Sequence, residues 1–163
     1  MTAAAVIAIA LTPILLAYLQ LGYHPDVQDD SPAVAGDEAV AFLDRSVHNA
    51  TAATAGDYGW DERDRMAEAV RAAIGNDVGT LESSRLESGI VYDVSYNQTA
   101  ATEWAGENCD SGPGKRFGDC ETDGGVVLQE RADEAVLLAV GFDVRAVGPD
   151  AETDLTLVVE VGR

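Results

Sequence analysis

Two histidines, two cysteines, a "GPGKR" loop and many carboxylates are the residues of this chain with chemical potential. None of them falls into a catalytic pattern. His24 and His48 have neither the H-E-x-x-H nor the Cys-x-x-Cys setting that zinc needs, and both read as solvated, His24 beside an apolar run and His48 on a helix surface. "GPGKR" at 112–116 fails as a phosphate loop: the upstream Gly falls on Cys109, and Arg116 replaces the Ser or Thr. Asp26, Asp29 and Asp30 in "DVQDD" are oxygen ligands of the right kind for Ca²⁺. They lack the D-x-D-x-D-G spacing and the late bidentate Glu, so a solvated acidic linker is expected. Trp60 and Trp104 suit either a binding groove or helix packing, and packing is the commoner use. No G-x-S-x-G elbow is present, and carboxylates are too many for any pair to stand out as acid and base. The expectation is a protein that is not an enzyme, with no cofactor, metal or catalytic residue assigned.

Cys109 and Cys120 bracket "CDSGPGKRFGDC" and are the only cysteines. An even pair at short spacing is expected as a disulfide in a compartment outside the cytosol. Such a closure is worth about 3 kcal/mol on the chain-entropy account. "NAT" at Asn49 and "NQT" at Asn97 are candidate N-glycosylation sequons, consistent with the same exterior location.

These residues sit in a chain of 163 residues with 29 acidic and 10 basic groups, a formal net charge of −19. That much like charge repels phosphates and anionic headgroups, which excludes a nucleic-acid partner. Patterned apolar runs, within 47% hydrophobic residues, argue for a folded chain rather than a disordered one. The basic residues are nine Arg and a single Lys, Lys115, while Ala, Val and Gly are abundant. The composition resembles that of proteins from extreme halophiles, whose dense carboxylates keep the surface hydrated in concentrated salt.

No Asp, Glu, Lys or Arg precedes Asp26, and "AAAVIAIALTPILLAYLQLG" runs from Ala3 to Gly22. As a helix this run spans roughly 30 Å, the thickness of a bilayer's hydrocarbon core. Pro13 is tolerated in a membrane helix, and Tyr18 and Tyr23 lie where aromatic rings favour the interface. A cleaved signal, with "AVA" at 33–35 as its site, is the alternative, but no basic residue precedes the run. Residues 1–23 are therefore expected to be an uncleaved transmembrane anchor, with Ala3, Ala4, Ala5, Ala8 and Ala10 as a helix-packing face. The acidic side is expected outside, giving a single-pass protein of the cell membrane.

The anchor leads to a linker over 24–36 and a head domain over 37–163. Asp37 is placed to cap a helix running to about Thr54, with Ala39, Phe42, Leu43, Val47 and Ala50 on one face. A second helix starts near Asp61 and carries Met66, Val70, Ala73, Ile74 and Val78. From Ile90 the period changes to two, and "IVYDVSYN", "GGVVLQER", "AVLLAVGFDVRAV" and "TDLTLVVEVGR" read as four strands. The expected fold class is α+β: an N-terminal transmembrane helix, then a head of two helices packed on one face of a four-stranded antiparallel sheet.

"PILLAYLQLGYHPDV" resembles a family of small haloarchaeal membrane-anchored proteins, and the layout of apolar helix, linker and β-rich acidic head is similar to archaeal type IV pilin-like proteins. The resemblance implies a cell-surface structural or interaction role, with the membrane, itself or other pilin-like subunits as partners and a surface filament as one destination. The chain begins "MTAAAVIAIA", without the basic leader or early Glu of such pilins, and this leaves polymerisation open. An anchored extracellular ligand-binding module, or a hydrolase, is the alternative.

Overall fold

Apolar side chains recur every third or fourth position along α1 (Pro32–Thr54) and α2 (Arg63–Ser84), and that spacing decides how the two helices pack. The structure, a computed structural model, describes residues 32–162 apart from 85, 111–113, 115 and 116. Residues 31–163 form one compact unit. Ala35, Ala39, Leu43, Val47 and Ala50 on α1 face Met66, Ala67, Val70, Ile74 and Leu81 on α2, all buried. α1 begins at Pro32, inside the stretch expected as linker, because a proline in the first turn loses no helical hydrogen bond. A short 3-10 turn, Trp60–Glu62, leads into α2, which continues to Ser84.

The sheet has five antiparallel strands rather than four: β1 (Val91–Tyr96), β2 (Cys120–Asp123), β3 (Val126–Arg131), β4 (Glu134–Val147) and β5 (Glu152–Glu160). β4 is the hub. β5 runs along one of its edges, from Ala139↔Glu160 to Val147↔Glu152. The other edge is shared end to end. β1 covers the second half (Val91↔Val147 to Tyr96↔Phe142), and β3 covers the first (Val126↔Val140 to Arg131↔Glu134). β2 closes the outside of β3 through a two-residue turn at Gly124 and Gly125, whose φ of +55° and +87° is the geometry such a hairpin requires.

The register slips between Val127 and Leu128, leaving Leu138 on β4 without an opposite partner. This bulge moves the buried set by one residue. Ala135 and Leu137 precede it on the helix-covered face, and Val140, Phe142, Val144 and Ala146 follow it there. Tyr92 and Tyr96 fix β1 to both helices by donating their hydroxyls to backbone carbonyls of Ala35 (3.1 Å) and Arg71 (3.0 Å).

A third helix, α3 (Gln98–Asn108), lies on the opposite face of the sheet and corrects the expectation that all helices share one face. Ala101 on α3 is buried against Val127 and Ala139, with Trp104, Ala105, Leu138 and Val158 around them. The approach is close. A Cβ on Gly141 would sit 2.5 Å from the Asn97 carbonyl oxygen and 3.0 Å from the Ala101 nitrogen. Among the described residues no helix is long and apolar enough to cross a membrane. The anchor expected over residues 1–23 lies outside the described residues, as do Ala3, Ala4, Ala5, Ala8, Ala10 and His24.

Candidate ligand-binding cleft

Beside α3 and reaching Thr51 near the end of α1 is a cleft of about 680 Å³, within the size range of small-molecule sites. α3 contributes Trp104, Glu107 and Asn108; the sheet contributes Gln129, Arg131, Leu138 and Glu160. The elements are held in place at both ends of α3. Asn97 caps its start, the side-chain oxygen accepting from the Ala100 N–H at 2.8 Å. At its end, Cys109 is joined by a disulfide to Cys120 at the start of β2, as expected from the sequence. The helix that lines the cleft is thereby fastened to the edge strand of the sheet.

Inside the cleft the polar groups are ordered in a chain. Gln129, only 2% exposed, donates its amide to the Asp110 carbonyl (3.3 Å). Its side-chain oxygen accepts from Nε of Arg131 at 3.1 Å. The Arg131 guanidinium lies over the Phe117 ring, 4.3 Å from its centroid. Across the cleft, the Trp104 indole N–H donates to Glu160 Oε1 at 3.0 Å. Sequence reasoning missed Gln129, Arg131 and Phe117. The available signal was a Gln directly after three apolar residues in "VVLQER", since a buried amide in a strand must have partners.

The other sequence candidates are placed apart from the cleft or serve the fold. Trp60 packs on the main core with the Arg63 guanidinium 5.1 Å from its ring centroid. His48 is exposed and turns Nδ1 to the Asp44 carbonyl at 3.0 Å. Asn49 is exposed on α1. Asn97 is half-buried: besides capping α3, its amide nitrogen donates to both oxygens of Asp143 at 2.9 Å. The Thr156 hydroxyl and that amide hold the Asp143 carboxyl below its ordinary range. In a second hollow of about 300 Å³ that includes Asp143, Arg145 is already paired, with Glu152 at 2.6 Å and Asp154 at 3.8 Å. Among the described residues no three His, Cys, Asp or Glu side chains are grouped to hold a metal ion.

Residues 1–160 match a protein family described as "Family of unknown function (DUF7261)". The chain belongs to DUF7261. The matched region of this DUF7261 member takes in both the uncharged run of residues 3–22 and the head through β5. No curated protein and no solved structure matches the chain.

Proposed function

We propose that this DUF7261 member is a membrane-anchored cell-surface protein with a structural or interaction role, a pilin-like subunit or accessory component of an archaeal envelope assembly. The observation that carries the reading is the uncharged run of bilayer length over residues 3–22 joined to a disulfide-bonded, acidic α+β head. The family match includes run and head together, which supports treating them as one working unit. The run anchors residues 1–23 in the membrane and the head faces outward. In an assembly, Ala3, Ala4, Ala5, Ala8 and Ala10 let neighbouring anchor helices approach closely. The acid excess with a single lysine supports a haloarchaeal surface setting.

Membrane fractionation tests this. Full-length protein is expected in the detergent-extractable fraction, and deletion of residues 1–25 is expected to release a soluble, folded head. Full-length protein of monomer size that stays in solution in high salt without detergent would overturn the anchor. Electron microscopy of detergent-free envelopes separates a filament subunit from a protein that stays in the bilayer. A second reading, an anchored module that binds an external ligand, is favoured by the cleft beside α3.

A further inference from the structure

We propose that the cleft beside α3 binds a small monocarboxylate, with the Arg131 guanidinium gripping the carboxylate and the apolar wall of Val136, Leu138 and Val161 receiving the body of the ligand. The inference concerns the head alone and stands whether or not the chain is anchored.

The first observation is how the arginines are partnered. Among the described residues, Arg63 pairs with Glu121, Arg65 with Glu62, Arg71 with Asp123, and Arg145 with Glu152 and Asp154. Arg45, on the exposed side of α1, lies over Phe42. Arg131 is half-buried in the cleft and makes no ion pair among the described residues, in a chain with 29 carboxylates. A partly desolvated guanidinium without a carboxylate is a site whose best partner is still to come.

The second observation is that the group is already oriented. Phe117 supports the guanidinium plane and buried Gln129 takes the Nε–H, which leaves Nη1 and Nη2 as the fork for a ligand. Two parallel N–H donors match the two oxygens of a carboxylate, and a group fixed before binding loses little freedom on binding. The surroundings then set the charge of the ligand. Glu107 and Glu160 also line the cleft, and the whole chain carries −19, so every further negative charge on a ligand is opposed. A single carboxylate satisfies Arg131 with the least repulsion, whereas phosphate esters are disfavoured.

Full-length protein labelled with isotope-enriched tryptophan has two indole N–H signals, and only Trp104 lines the cleft. Benzoate and benzamide, nearly the same shape with and without the charge, are titrated in molar KCl. Benzoate is expected to shift the Trp104 signal, leave Trp60 unmoved and bind about tenfold more tightly than benzamide. Arg131→Met keeps the side-chain stem on Phe117 and should bring the two probes within about twofold of each other. Arg131→Lys, with charge but no fork, is expected to lie between, and it carries the test if Arg131→Met does not fold. No movement of Trp104 up to about 50 mM benzoate, equal binding of the two probes, or a benzoate preference undiminished in the variants would overturn the proposal.

Discussion

At the scale of single residues, the head is held by polar side chains that reach from the sheet to the helix backbones. Tyr96 is the plainest case. Its hydroxyl donates to the Arg71 carbonyl, and burial pushes its phenol from the ordinary 10.0 up to about 12. Because the folded value lies above the unfolded one, the contribution of this group is complete below pH 10.0 and is lost as pH rises toward about 12. Tyr96→Phe is expected to cost about 1 kcal/mol at neutral pH. The variant should also lose less of its melting temperature than the parent between those two pH values, measured by thermal melts. Asn97 shows the limit of reading residues from sequence. "NQT" is a sequon by its letters, yet the same asparagine is the N-cap of α3 and the clamp on Asp143. The letters show the sequon and not the clamp, because the partner Asp143 lies far along the chain.

At the scale of elements, the strongly periodic segments were legible and the weakly periodic ones were not. α1, α2, β1, β3, β4 and β5 follow from apolar spacing, because each buries a full stripe or alternating set in one core. α3 does not. It has eleven residues and a single fully buried one, Ala101, so its stability comes from the sheet beneath it rather than from its own sequence. β2 is a disulfide-bonded cysteine and three polar residues, CETD, placed by its hairpin partner and the disulfide. Two predictions belong here. Gly141→Ala puts a methyl group against the Asn97 carbonyl and the Ala101 nitrogen, both backbone atoms that cannot swing away. It is expected to cost about 1–3 kcal/mol in a denaturant melt and to perturb α3 selectively. The turn between β3 and β4 holds Ala132 and Asp133 at φ of +56° and +68°, where side chains are strained. Replacing the pair by Asn-Gly is expected to stabilise the head by about 1 kcal/mol, read as a higher denaturation midpoint.

At the scale of the whole molecule, charge dominates. All acids but Asp26, Asp29 and Asp30 lie in the compact head, where Arg63, Arg65, Arg71 and Arg145 pair with Glu121, Glu62, Asp123, Glu152 and Asp154, and the formal net charge of the chain is −19. The Debye length is about 30 Å at 0.01 M salt and about 3 Å at 1 M, so repulsion is felt across the domain in dilute buffer and is mostly screened in molar salt. Unfolding separates the charges. The melting temperature of residues 31–163 is therefore expected to rise steeply from dilute buffer to molar KCl, followed by circular dichroism. Screening is complete by roughly 1 M, and a further rise would come from salting-out of apolar surface. A flat profile would mean that the carboxylates are spaced or paired well enough not to oppose folding.

The sharing of β4 by three strands also fixes the order in which the head can assemble. β3, β4 and β5 are consecutive and meet through short turns, whereas Val91 must wait for Val147 before β1 has a register. Local closures are fast and long ones slow. In pulsed hydrogen exchange, amides of the β3–β4–β5 meander are expected to gain protection before those of β1. A chain made from its N-terminus onward thus has both long helices and β1 synthesised before the strand that organises them exists. Until β4 is complete the polypeptide has no finished sheet to close on, so the head is expected to gain its fold only once β4 and β5 have been made.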